Sequence, residues 1–205
     1  MLIPPRRAAY PPAFFARDPV QVARELLGSV LVRTLEDDRV LAGRVVEAEA
    51  YDCPRDPSCS AGRFHAARSQ ALAAPPGTFV FWVAHTHPLL QLSCREAGVA
   101  ASVLLRALEP LAGVAAMLEH RPVVDPHNLT SGPAKLVRAL HVTPDFRGQP
   151  SDGEARYLAP GEPVANERVS VTSRVGIAAG QHLPWRFLET GSPWLSGGRP
   201  SMELP

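Results

Sequence analysis

At 205 residues the chain is long enough to bury one sizeable hydrophobic core, and no break in composition divides it in two. Its 45% hydrophobic and 20% charged residues exclude the disordered and collagen-like classes. A formal net charge of +1 provides no global basic field to announce a nucleic-acid partner, so any basic face has to be local.

Lys135 is the only lysine, so nearly all the positive charge is arginine, whose planar fork suits phosphate and carboxylate partners. The segment Met1 to Arg7 has no apolar stretch long enough for a signal peptide, and no window approaches a membrane span. The expected location is the cytosol, around the nucleoid when DNA is bound. Three cysteines (Cys53, Cys59, Cys94), odd in number and without Cys-x-x-Cys spacing, argue against a disulfide framework or a zinc ribbon.

Residues 1–13 read as an N-terminal tail and 14–205 as a single domain. Asp18-Pro19 opens a helix: Asp18 is the N-cap, Val20, Val22, Ala23, Leu26 and Leu27 supply its apolar positions, and Gly28 stops it. Ser29 to Leu35 is a strand, and Glu36-Asp37-Asp38-Arg39 turns it into a second, Val40 to Tyr51. Alternation along that second strand puts Val45, Glu47, Glu49 and Tyr51 on one face and Val46, Ala48 and Ala50 on the other. The small apolar face suits a core. The acidic face is either the wall of a polar pocket or simply solvated.

From Asp52 to Pro76 periodicity is lost, and a loop of that length is uncommon unless it is functional or disordered. Arg63, His65 and Arg68 within it suit a phosphate-facing surface, with plain solvation as the alternative. Gly77 to Val83, carrying Phe79, Phe81 and Trp82, is a buried strand. His85-Thr86-His87-Pro88 interrupts the sheet, which resumes over Leu89 to Cys94. Two histidines at i, i+2 without a nearby carboxylate make a poor metal site, so no metal is expected.

Ser102 to Leu108 is a further strand with Arg106 in its apolar middle, where a guanidinium is costly to bury unless a carboxylate or phosphate partners it; a strand end opening to solvent is the alternative. Pro110 begins a short helix through Leu118. Ser131 to Leu140 reads as a helix with Ser131 as N-cap and an N-terminus able to hold an anion. An irregular segment follows Pro144, then strands at Val169 to Ile177 and Trp185 to Glu189. The sum is an α+β fold: one mostly antiparallel, curved sheet with surrounding helices and long ordered loops.

Five blocks, Arg44-Val-Val-Glu-Ala-Glu-Ala-Tyr51, Val103-Leu-Leu-Arg-Ala-Leu-Glu-Pro110, Ser131-Gly-Pro-Ala-Lys-Leu136, Arg174-Val-Gly-Ile177 and Gly191-Ser-Pro-Trp194, occur in the order and spacing of the alkyladenine (3-methyladenine) DNA glycosylases. The sequence resembles that family from about Phe14 onward. The resemblance implies a cofactor-free, monomeric enzyme that flips a damaged purine nucleotide out of double-stranded DNA and hydrolyses its N-glycosidic bond. In its terms Glu49 matches the general base that activates a water. Arg106 and the backbone carbonyl of Val175 match the groups that hold that water.

Departure of the base leaves positive charge on the sugar, so a carboxylate there both deprotonates water and stabilises an oxocarbenium-like transition state. Lys135, the only lysine available to form a Schiff base, falls in a helix that the family sets against DNA. The expectation is a monofunctional hydrolase without lyase activity.

Tyr51 and Trp82 match the aromatic walls of the family's base pocket, whereas Ser60 stands at the position of its pocket histidine. His85 stands where a tyrosine fills the gap left by the flipped nucleotide. Arg63, Arg68, Ser131 and Lys135 are the expected DNA-backbone contacts. Cationic alkylated purines are therefore the expected substrates, since a positive ring is attracted between aromatic faces.

Overall fold

The computed structural model describes residues 3–60, 65–198 and 200, without the side chains of Ser60 and His65. Eight strands form one antiparallel sheet: β1 (Val30–Thr34), β2 (Val40–Asp52), β3 (Phe79–Ala84), β4 (His87–Ser93), β5 (Ala101–Ala112), β6 (Arg156–Ala159), β7 (Val169–Thr172) and β8 (Arg186–Glu189). Among the described residues five short helices accompany them: α1 (Pro12–Phe15), α2 (Pro19–Glu25), α3 (His65–Leu72), α4 (Val114–His120) and α5 (Pro133–Ala139). The strand order is β3-β4-β5-β2-β1-β6, with β8 joining β2 to β7. The expected α+β class holds.

β2 organises the sheet. It is buried from Leu41 to Asp52, which rules out the half-solvated reading of its acidic face. β5 runs along one of its edges. Its other edge is shared: β1 pairs with Val40–Arg44, and β8 takes over at Glu47–Glu49. At the changeover the register against β5 shifts between Val45 and Glu47, a β-bulge that inserts one extra residue. Strict alternation groups Val45 with the two carboxylates. The bulge instead places Val45 in the main core with Ala48 and Ala50.

The core lies between the sheet and the helices. α2 buries Val22 and Ala23 against β2 and β5, and α5 buries Leu136 and Val137 against β4 and β5. Asp18 caps α2 as expected, its Oδ1 accepting from the Val20 N–H at 2.9 Å. The N-terminal residues are tied to the same body: Tyr10 stacks on Phe14 at 3.9 Å, and the Tyr157 hydroxyl donates to the Pro4 carbonyl at 2.8 Å.

Several elements differ from the sequence-based expectation. Pro110 does not start a helix but continues β5 opposite Gly43. The chain turns only at Gly113, whose φ of +72° brings its Cα so close to the Val40 carbonyl that a Cβ would sit 2.5 Å from that oxygen. The cap of α5 is Gly132 rather than Ser131, and the helix is seven residues long. β7 ends at Thr172, leaving residues 173–177 irregular. Within the long 52–76 segment lie a short 3-10 turn, Pro57–Ser60, and α3. Beyond Pro144, β6 adds a strand that the sequence pattern did not reveal. Cys53 and Cys59 are joined in a disulfide, against the cysteine-count argument, while Cys94 is free and buried. Among the described residues no helix is long and apolar enough to cross a membrane.

Candidate active site

Where the polar face of β2 meets the β3–β4 hairpin, the molecule holds a cavity of about 680 Å³. Tyr51, Arg68, Trp82, His85, Arg106 and Val175 are among its walls. Glu49 lies one layer behind that wall and is fully buried. Three of the wall residues hold it. Its Oε1 accepts from the Val175 backbone N–H at 2.8 Å and lies 3.3 Å from Arg106 Nη1, while its Oε2 accepts from the Tyr51 hydroxyl at 2.8 Å. The expected trio of Glu49, Arg106 and Val175 is thus brought together. Val175 engages Glu49 through its N–H.

Alternation along β2 puts Glu47 beside Glu49 on the same face, and this second carboxylate is also fully buried. It accepts from Arg106 Nε at 2.9 Å, Arg186 Nε at 2.8 Å, the Ser196 N–H at 2.7 Å and the Ser196 hydroxyl at 2.8 Å. Burial pushes the Glu47 carboxyl up, but Arg106, Arg186 and Ser196 together outweigh burial and hold it below the usual carboxylate range. Arg106 is therefore the bridge between two acids rather than the partner of one. The sequence carries a hint of this: two buried acids at i, i+2 facing one way require more than a single guanidinium for neutrality.

Tyr51 is fixed in the same manner. Burial and the neighbouring Glu49 raise its hydroxyl well above the ordinary phenol value, so it stays a proton donor. The buried guanidinium of Arg174 lies 4.6 Å from the ring centre, donates to the Ala50 carbonyl at 3.0 Å and pairs with Asp56 through two nitrogens, the Nη2–Oδ1 contact being 2.8 Å. Asp56 sits in the short segment closed by the Cys53–Cys59 disulfide. That segment is thereby linked to the Tyr51 ring through Arg174. Sequence reading singled out none of Glu47, Asp56, Arg174, Arg186 and Ser196 as site residues, because each acts through a long-range partner.

Trp82 lines the cavity as expected of an aromatic wall. His85 stands at its rim on the tip of the β3–β4 hairpin, with φ +56° in a two-residue turn between the paired Ala84 and His87. Arg68 is not directed outward from a loop. It projects from α3 into the cavity, its guanidinium 5.0 Å from the centre of the Tyr51 ring. Ser131 and Lys135 lie on the α5 side, where Lys135 Nζ reaches Ser131 Oγ at 3.3 Å and also contacts Asn128. Burial, reinforced by Arg121, lowers the Lys135 ammonium below the usual lysine value. Arg63 and the side chain of Ser60 lie outside the described residues. Among the described residues no three His, Cys, Asp or Glu side chains gather as a metal shell.

Residues 13–193 match the model of the methylpurine-DNA glycosylase family. Relatives that bear the name "Putative 3-methyladenine DNA glycosylase" include the following three. One from Deinococcus radiodurans is 58% identical, covering 90% of this chain and 98% of its own length. One from Gloeobacter violaceus is 42% identical over 89% of this chain and 84% of its own. One from Carboxydothermus hydrogenoformans is 37% identical over 91% and 97%. With a buried Glu49 held by Arg106, Val175 and Tyr51 behind an aromatic cavity, and with a family match spanning most of its length, the chain belongs to the methylpurine-DNA glycosylase family.

Proposed function

We propose that this chain excises cationic alkylated purines, 3-methyladenine and 7-methylguanine foremost, from duplex DNA. The damaged nucleotide rotates into the Tyr51 cavity, and a water activated by Glu49 hydrolyses its N-glycosidic bond. The observation that carries this reading is how the Glu49 oxygens are used. Oε1 accepts from the Val175 N–H and faces the Arg106 guanidinium in an ion pair, whereas among the described residues Oε2 accepts only from the Tyr51 hydroxyl. A carboxylate oxygen accepts about two hydrogen bonds, so Oε2 keeps room for one water. Tyr51 and Arg106 both touch Glu49 and both line the cavity, so a water bound where they meet lies beside the carboxylate.

Loss of the base develops positive charge on the sugar, which the same carboxylate opposes. Tyr51 and Trp82 both line the cavity, and aromatic rings there favour a positively charged base. In this reading His85, at the hairpin tip, enters the gap left in the stack, and Ser131 and Lys135 contact the DNA backbone. Ser60 in place of a pocket histidine removes a hydrogen-bonding wall, worth about 1–3 kcal/mol for a neutral lesion such as hypoxanthine. The substrate is duplex DNA met in the cytoplasm by a single copy of the chain.

Duplexes carrying one 7-methylguanine, hypoxanthine or ethenoadenine, incubated with chelator present, test this. The expected result is release of 7-methylguanine, falling about 100-fold or more in Glu49→Gln. Equal rates on hypoxanthine would refute the lesion preference. Lesion binding without release would mark a damage-recognition protein, and loss with chelator would point instead to metal chemistry at His85 and His87.

A further inference from the structure

We infer that Ser196 is a positioning residue of the catalytic centre, and that residues 194–198 form a strap completing that centre from behind. The inference rests on the glycosylase reading of Glu49 and Arg106, but its residue lies beyond the segment 13–193 covered by the family match.

The Arg106 guanidinium has three nitrogens, and each meets a different neighbour. Nε donates to Glu47 Oε1 at 2.9 Å, Nη1 faces Glu49 Oε1 at 3.3 Å, and Nη2 donates to Ser196 Oγ at 3.3 Å. With Nε alone anchored, the plane can swing about that hydrogen bond. A second anchor at Nη2 stops the swing and aims Nη1 at the proposed general base. The hydroxyl that accepts from Nη2 also donates to Glu47 Oε1 at 2.8 Å, and the Ser196 N–H donates to Glu47 Oε2 at 2.7 Å. Ser196 thus closes a ring of Arg106, Glu47 and itself.

The strap touches the other group that holds Glu49 as well. A Cβ added to Gly198 would stand 2.6 Å from Val175 Cγ1 and 3.5 Å from Arg106 Nη2, so this backbone passes against both residues that engage Glu49 Oε1. Trp194 anchors the near end, its ring centre 4.8 Å from that of His127.

The test is Ser196→Ala and Ser196→Thr in the full chain, read by single-turnover base release, by affinity for the lesion duplex, and by NMR exchange of the Arg106 Nε proton. In Ser196→Ala, release should slow about 10-fold, the scale of one hydrogen bond to a charged group, while lesion-duplex affinity stays within about twofold. The Nε proton should exchange several-fold faster, and Ser196→Thr, which keeps the hydroxyl, should restore both values. Release within about twofold of the parent, a loss matched by lost affinity, or unchanged Nε exchange overturns the inference. If the parent chain releases no base, the glycosylase reading fails by itself, and the exchange measurement still decides whether Ser196 fixes Arg106.

Discussion

Arg174 and Tyr51 form a buried stack, the guanidinium carbon 4.6 Å from the ring centre and the arginine itself fully inaccessible. A buried cation of this kind is tolerable only with its counterion, and Asp56 is that counterion. Burial pushes the Asp56 carboxyl up, but Arg174 outweighs burial and holds it below the usual range. Asp56→Asn leaves the guanidinium buried and unpaired, so unfolding stability should fall by about 3–5 kcal/mol. Urea unfolding at pH 7 checks this, and a loss below about 1 kcal/mol, the worth of an exposed pair, would mean that Asp56 is dispensable.

The Cys53–Cys59 disulfide closes a loop of sequence separation 6 around Asp56. So short a loop restricts the unfolded chain modestly, and Cys53→Ser should cost roughly 2 kcal/mol. The bridge also sets the free thiol count. The denatured, unreduced chain should titrate one thiol, that of Cys94, and three after reduction. Three thiols before reduction would show that the bridge does not form.

The fold class and the central strand were legible in local sequence pattern, whereas the Glu49–Arg106 encounter was implied by the family resemblance and fits the chemical cost of an unpaired charge. Arg106 in an apolar run called for a carboxylate or phosphate partner, and the structure supplies two carboxylates, Glu47 and Glu49. What remained hidden depends on long-range partners. The bulge at Val46 arises where β2 exchanges β1 for β8, and no property of Val45 itself reveals the changeover. Glu47 shared a face with Glu49, yet its partners Arg186 and Ser196 lie 139 and 149 residues away. Pro110 looked like a helix start because proline favours a first turn, but β5 accommodates it beside a register shift and Gly113 makes the turn.

Arg68 lines the cavity with its guanidinium carbon 5.0 Å from the centre of the Tyr51 ring, the ring on which the proposed reading stacks an incoming base. Among the described residues no carboxylate pairs with Arg68, so the aromatic face is its principal partner. A free base must displace it. Arg68→Ala should therefore tighten inhibition by free 3-methyladenine about 2- to 5-fold, the equivalent of one exposed cation–π contact of about 0.5–1 kcal/mol. The inhibition constant isolates the cavity from DNA-backbone contacts, and an unchanged or weaker constant would rule out this occupancy.

Glu47 sets the last expectation, and its sign follows from the direction of its shift. Its carboxyl is held below the ordinary range in the folded chain, so its ion pairs with Arg106 and Arg186 stabilise the fold fully above the unfolded value of about 4.3. That contribution is lost as pH falls through the lower, folded value. Glu47→Gln removes the charge and leaves two guanidinium groups facing a neutral amide. At pH 7 the variant should be less stable by about 3–5 kcal/mol. The deficit should persist at pH 5 and shrink below about pH 4, as the parent carboxylate itself takes up a proton. Urea unfolding at pH 7, 5 and 3 measures the gap. A deficit that stays constant over this range, or widens in acid, would mean that packing rather than charge ties Glu47 to its arginines.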